Sequence, residues 1–478
     1  MLKFTMRTLT TLSLLFFFSA TVFAEEPKPK LAVVIVIDQL RGDSMERFTS
    51  QGLGRFIRDG AYFKNARHGH VPTFTEVGHA SIATGRFPKS HGIIGEEFFD
   101  RKKNKRVLTI EDKDLGTGPF RLNSPTLGDL LKEDSEASTV VSIAGKVEAA
   151  VLQGGKKADL AMWYDKKTGR FITSSYYGKL PNWADDWNAE NEVIEKRRKS
   201  IRKHPHLDQL TLSLVRRAIE ALDLGADDVA DLLMVSLSAT DLIGHTWGPF
   251  SDEMSDQLKR LDRELGSFLD FLDYKIGSDD YVVVLTGDHG VLPLPRSPKG
   301  DAIGARRVIS KDLRAALESD LKAELGKPKK GEDWVVAWNP PHVNLNIASL
   351  KRRERKRIIG RAAALLTARE EIVWAQPARS IPGSREFSKI YLRSLPKNRA
   401  GDVVFLWKRG VLLTEYAGGT GHGSPYDYDT HVPIALLGAG VLAGRYPRAA
   451  LTVEIAPTLA RILGVKLKGK LLKEALSR

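Results

Sequence analysis

Six residues able to bind a cation lie in four short segments of this 478-residue chain. Asp241-Leu-Ile-Gly-His245 sets a carboxylate and an imidazole four apart, so one helical turn brings both to one face and one ion. Asp288-His289 follows the apolar run Tyr281 to Leu285, and His422 sits in the glycine-rich loop Thr420-Gly-His-Gly-Ser424. Each alone has a structural explanation, as a turn cap or a loop histidine. With Asp38, at the end of another apolar run, they make three aspartates and three histidines. Such a set of N and O donors suits two divalent metal ions, and its share of histidine favours zinc. A nucleophile is offered by Val71-Pro-Thr-Phe-Thr75-Glu-Val-Gly-His79-Ala-Ser81. A threonine hydroxyl is a weak nucleophile near neutral pH, but coordination to a metal lowers its pKa and aims it. Two such metals can hold the attacking and leaving oxygens in line at phosphorus. Without the metal ligands, the same segment would read as a Thr/Ser-rich loop.

Positioning these residues requires strands that end at one edge. Leu31 to Ile37 is an unbroken aliphatic run that stops at Asp38; Asp231 to Leu237 precedes Ser238-Ala-Thr-Asp241; Tyr281 to Leu285 precedes Thr286-Gly-Asp-His289. Buried parallel strands read this way. Between them lie amphipathic helices, one carrying Leu207, Leu210, Leu214, Ala218 and Leu222, the other Met254, Leu258, Leu261, Leu265, Leu269 and Leu272. The alternation predicts an α/β fold with a mainly parallel sheet, whose ligands gather beyond the carboxyl ends of the strands. Residues 300–400 are more basic and of mixed pattern, and Asn339-Pro-Pro341 breaks them, so an inserted cap is expected there. The catalytic domain is expected to be 25–299 together with 401–478, where Val432 to Leu437 resumes the sheet pattern.

The order of these motifs resembles the alkaline phosphatase superfamily. More narrowly, it is similar to the threonine-nucleophile branch, which includes bacterial threonine-type alkaline phosphatases and nucleotide pyrophosphatase/phosphodiesterases. The matching pieces are Val34-Ile-Val-Ile-Asp38-Gln-Leu-Arg41, Thr75-Glu-Val-Gly-His79-Ala-Ser-Ile-Ala-Thr-Gly85, His91-Gly-Ile-Ile-Gly95, Ser238 to His245, Thr286 to Gly290, and His422 to Pro433. The resemblance implies an alkaline-phosphatase-like core and a phosphothreonine intermediate at Thr75. It implies one metal held by Asp241, His245 and His422, and another by Asp38, Asp288 and His289 with the Thr75 oxygen. Zinc is the usual metal of that family.

Two positions depart from the family pattern. Glu96 stands where an asparagine usually donates to a phosphoryl oxygen, and Glu148 where the phosphomonoesterases carry the arginine of a Lys-x-Arg pair. Lys146 matches the lysine of that pair. Two unit negative charges about 4 Å apart repel by on the order of 4 kcal/mol at an effective dielectric near 20. An ionised Glu96 therefore disfavours a dianionic monoester unless it is neutral, paired with Lys146, bound to a further cation such as Mg2+, or facing a cationic leaving group. A phosphodiester carries one charge less. The expected activity is a phosphomonoesterase, with a phosphodiesterase or nucleotide pyrophosphatase as the alternative. A metal-containing binding protein without catalysis is the alternative from another class.

Composition narrows the setting. The chain has no cysteine, which removes thiolate metal sites, cysteine nucleophiles and disulfides. Residues 1–24, with Lys3 and Arg7, an apolar run from Leu12 to Phe18 and Val22-Phe-Ala24, read as a secretory signal, so a periplasmic or secreted protein is expected. An uncleaved anchor is the alternative. No later stretch is apolar for long enough to span a bilayer. The net charge of +14 fits phosphate-bearing substrates or anionic surroundings, or else a solvated basic surface. The basic residues are spread out (Lys102 to Arg106, Lys196 to Arg202, Lys351 to Arg357), and no nucleic-acid-binding motif accompanies them.

Overall fold

The computed structural model describes residues 28–193, 195–328 and 331–477. The expected signal segment lies outside them. Leu31–Ile37 is buried along its whole length and pairs in parallel with Asp231–Leu237 on one side and Tyr281–Thr286 on the other. Its residues alternate between two cores, as the period of two in a strand requires. Leu31, Val33, Ile35 and Ile37 join the core under the helices His206–Ala221 and Asp252–Lys275. Ala32, Val34 and Val36 join the opposite core, which Ile455–Leu463 covers. Burial on both faces explains the continuous aliphatic run.

Nine strands form the main sheet, in the order Gly444–Arg445, Ala61–Phe63, Ile434–Gly438, Tyr281–Thr286, Leu31–Ile37, Asp231–Leu237, Val140–Ala144, Leu160–Asp165, Arg170–Ile172. The five from Tyr281–Thr286 to Leu160–Asp165 are mutually parallel. Ile434–Gly438 enters antiparallel to Tyr281–Thr286, and Arg170–Ile172 closes the far edge antiparallel to Leu160–Asp165. Asp38, Lys146, Ser238 and Asp288 all lie just past the carboxyl ends of the parallel strands.

A second, antiparallel sheet has its own core. Its order is Val335–Asn339, His342–Leu345, Val403–Trp407, Ile372–Pro377. The helices Ser310–Leu325 and Arg352–Thr367 pack on it through Leu317, Leu321, Ala362 and Leu366, against Val343 and Phe405. This unit runs past the boundary at residue 400 expected from sequence. Val403–Trp407 is its third strand, and Val411–Thr414 pairs with Arg306–Ile309. Val403-Val-Phe-Leu-Trp407 is as apolar as a strand of the main sheet, but its partners are His342–Leu345 and Ile372–Pro377.

Candidate metal centre and active site

The nucleophile candidate opens a helix. Thr75 is the first residue of Thr75–Thr84, with Phe74 extended before it. The helix lies so close to the end of strand Tyr281–Thr286 that a Cβ on Gly78 would come within 2.2 Å of the Asp288 carbonyl oxygen. Asp241 and His245 sit one turn apart on the helix Ala239–Trp247, with His245 Nε2 3.2 Å from Asp241 Oδ1. That helix also contains a required glycine, since a Cβ on Gly244 would lie 1.8 Å from Gln39 Oε1.

Three imidazoles are oriented by the same device. His245 Nδ1 lies 2.7 Å from the Thr420 carbonyl, His422 Nδ1 2.7 Å from that of Thr73, and His289 Nδ1 2.9 Å from that of Gly290. A carbonyl only accepts, so each Nδ1 carries the proton and each Nε2 lone pair faces the site. His245 Nε2 and His422 Nε2 are 3.2 Å apart, and His422 Nε2 is 3.6 Å from Asp241 Oδ1. On the other side, His289 Nε2 lies 3.3 Å from Asp288 Oδ2, 3.5 Å from Asp38 Oδ1 and 3.4 Å from Thr75 Oγ1. The His289 and His422 rings stack with centroids 3.6 Å apart, so the two groups of donors adjoin.

Asp38 Oδ1 and Asp288 Oδ2 are buried and lack a hydrogen-bond partner. Burial, then the charge of Asp288, pushes the Asp38 carboxyl well above its ordinary range, and burial raises Asp288 to about 7. Burial pushes Asp241 the same way, but His245 and Lys146 outweigh it and leave its carboxyl well below the ordinary range. Burial holds His422 down to about 3 and His289 well below its ordinary value, in the neutral form that binds metal. Asp38, Asp241 and Asp288 thus share a single lysine in a dry site. Donor atoms of Asp241, His289 and His422 lie close enough together to fit one divalent cation, as do those of Asp38, Asp288 and His289, and His245 Nε2 adjoins the first group.

Lys146 lies between the two groups, its Nζ 2.6 Å from both Asp38 Oδ2 and Asp241 Oδ2 and 3.2 Å from Thr75 Oγ1. Burial opposes its charge, yet Asp241 and Asp38 hold the ammonium protonated well above its ordinary range. Glu96 is not among the donors. It stands on the exposed rim before strand Glu97–Asp100, where burial and then the charge of Glu148 raise its carboxyl. The structure adds a third acid there, Glu76, raised to about 8 by burial and by Glu148.

Sequence reasoning also passed over Gln39 and His79. Gln39 takes a positive φ of 66°, which turns its N–H onto Asp288 Oδ1 at 3.0 Å and its side-chain amide onto Asp241 Oδ1 at 2.6 Å. It thereby ties the two groups of donors together. His79 donates from Nδ1 to the Thr75 carbonyl at 2.9 Å, while its Nε2 accepts from Ser236 Oγ at 2.9 Å. His79 had a visible signal in its spacing of four from Thr75; Gln39 had none, because its role depends on a strained backbone.

Residues 32–432 match the family model for type I phosphodiesterase / nucleotide pyrophosphatase. Alkaline phosphatase PafA of Elizabethkingia meningoseptica is 28% identical, with 95% of each chain covered. Alkaline phosphatase PhoK of a Sphingomonas species is 30% identical over 91% of this chain and 88% of its own. A protein of Myroides odoratus named calcium-transporting ATPase is also 30% identical, over 94% of this chain and 95% of its own. The crystal structure of wild-type PafA superposes with a TM-score of 0.87 at 26% identity, over 95% of this chain and 100% of that one. The match over most of the chain, on the same α/β fold, places it in the type I phosphodiesterase / nucleotide pyrophosphatase family of phosphoric ester hydrolases.

Proposed function

We propose that this protein is an exported phosphomonoesterase that transfers the phosphoryl group to Thr75 and then to water. The observation that carries this reading is the position of Thr75 Oγ1, 3.4 Å from His289 Nε2 and 3.2 Å from Lys146 Nζ, at the amino end of a ten-residue helix. The partial positive charge of that helix end and the Lys146 ammonium both favour an anion at this oxygen. Two zinc ions, one on Asp241, His245 and His422 and one on Asp38, Asp288 and His289, would supply Lewis acidity and lower the pKa of the Thr75 hydroxyl. Lys146 holds a phosphoryl oxygen beside the nucleophile, and His79 fixes the Thr75 carbonyl and so the direction of its side chain. The names PafA and PhoK, both alkaline phosphatases, support this reading. Among the described residues no helix is long and apolar enough to cross a membrane. The signal-like residues 1–24 support export to the periplasm or beyond.

A second reading, phosphodiesterase, is favoured by the carboxylates Glu76, Glu96 and Glu148, which influence one another beside Thr75. In their ionised forms they repel the second charge of a monoester, unless an additional Mg2+ binds to them. The test compares p-nitrophenyl phosphate with bis-p-nitrophenyl phosphate in the zinc-loaded protein and in Glu96→Asn. Faster monoester turnover by the wild type supports the phosphatase. Diester preference, with Glu96→Asn raising monoester turnover, would move the protein to the phosphodiesterases. Thr75→Ala is expected to lower turnover by about a thousandfold or more while both metals stay bound; wild-type rates in that variant would refute the nucleophile.

A further inference from the structure

The helix Arg352–Thr367 begins with the wrong charges. Lys351-Arg-Arg-Glu-Arg-Lys-Arg357 crowds cations onto the end of the helix whose dipole is positive, an arrangement that costs stability. Arg352, Arg355, Lys356 and Ile359 follow the spacing i, i+3, i+4, i+7 of one helical face, and all four line one cavity of about 1150 Å³. Arg101, Arg379 and Lys397 line its other walls. Six cationic side chains thus face this space with a single carboxylate, Asp402. That carboxylate is already engaged, by Arg101 Nη1 at 2.9 Å and by the Leu345 N–H at 2.8 Å.

The other cations are held or left without a counter-charge. Arg355 donates to the Leu350 and Ala348 carbonyls at 2.7 and 2.8 Å, which fixes its guanidinium without neutralising it. Arg352, Lys356, Arg379 and Lys397 have no carboxylate at ion-pair distance among the described residues. Arg361 and Arg369, along and just beyond the same helix, do pair, with Glu324 and Asp320. Of the helix's cations without an ion pair among the described residues, Arg352, Arg355 and Lys356 line the cavity, while Arg353 and Arg357 do not. Phe99, on the strand that follows Glu96, forms part of the cavity wall, about 10 Å along the chain from Glu96 at roughly 3.3 Å per residue.

We propose that this cavity is a second anion-binding site, which takes a soluble polyanion carrying several phosphate groups. The claim concerns binding and stands whether or not the metal centre turns that ligand over.

The test titrates inorganic tripolyphosphate into the full metal-loaded chain carrying Thr75→Ala, so that the probe survives. The same titration is run with Arg352→Ser, Lys356→Ser, Arg379→Ser and Lys397→Ser added together; all four side chains are exposed, and the fold is expected to persist. The added changes are expected to weaken tripolyphosphate binding roughly tenfold or more and to leave orthophosphate binding unchanged. Arg352→Glu alone is expected to raise the melting temperature, because a carboxylate suits that helix end, while weakening tripolyphosphate. Equal affinity in both proteins, or no binding in either, overturns the proposal. So does cavity-dependent binding to phosphatidylglycerol-containing vesicles without a response to tripolyphosphate. Turnover of p-nitrophenyl phosphate, measured with Thr75 restored, reports on the metal centre separately.

Discussion

A histidine binds metal only through a nitrogen that carries no proton, and here three backbone carbonyls decide which nitrogen that is. The carbonyls of Thr420, Thr73 and Gly290 each accept a hydrogen bond from the Nδ1–H of one imidazole, so three Nε2 atoms meet beside three carboxylates. Lys146 is the cation within this cluster, and divalent cations bound there would add stability. His245 is the most accessible of the three, its side chain 38% exposed. Replacing it with alanine is therefore expected to release one metal per chain without unfolding the protein. Elemental analysis checks the stoichiometry, and turnover is expected to fall by roughly a hundredfold or more. Retention of two tightly bound metals in that variant would remove His245 from the ligand set.

Elements carry these residues, and two of them are set by close approaches. Gly78 lets the helix of Thr75 touch the backbone at Asp288, where a methyl group has no room. Gly78→Ala must push that helix away, and a displacement near 1 Å at the nucleophile costs on the order of a hundredfold in rate. The expected loss should appear in kcat with metal content reduced or intact, and an unchanged kcat would count against the packing argument. The helix of Asp241 is held from behind by Asp208, whose Oδ1 accepts from the Ala239 N–H at 3.0 Å and whose Oδ2 accepts from Gln257 at 2.6 Å. Burial raises Asp208 to about 7, above the roughly 3.9 of an unfolded aspartate. Between those values the folded chain keeps a proton that the unfolded chain has lost. Stability from this group is therefore greatest below about pH 4 and falls by up to about 1.4 kcal/mol per pH unit until pH 7. Asp208→Asn keeps the acceptor for Ala239 and cannot ionise, so its melting temperature is expected to change less than that of the wild type between pH 5 and 7.

At the scale of the molecule, the buried carboxylates Asp38, Asp241 and Asp288 link folding to metal. With no disulfide available, ligands that bind only the folded chain are a main external source of stability. A metal present at a hundred times its dissociation constant adds about 2.7 kcal/mol per site. Chelation is therefore expected to lower the melting temperature by several degrees, and zinc to restore it. An unchanged melting temperature after complete metal removal would mean that Lys146, already 2.6 Å from two of the carboxylates, compensates them alone.

The strands around Leu31, Asp231 and Tyr281 were legible because burial on both faces demands continuous aliphatic runs, and the helices between them because one-sided burial imposes spacings of three and four. The candidate donors Asp38, Asp288 and His289 stand out because they follow those runs closely, Asp241 and His245 by their spacing of four, and Thr75 because it shares a short motif with His79. Pairing partners were not: Val403–Trp407 and Ile434–Gly438 have the same apolar character, yet one joins the second sheet and the other the main one. Apolar composition says that a strand is buried and is silent on its neighbours. Protonation and grouping were equally hidden. Which imidazole nitrogen faces the site, how Gln39 bridges Asp241 and Asp288, and why the cations of Arg352 and Arg379 share a cavity all depend on residues distant in the chain. Local pattern set the elements and the chemical inventory; only packing set the distances, and with them the charge balance on which the site depends.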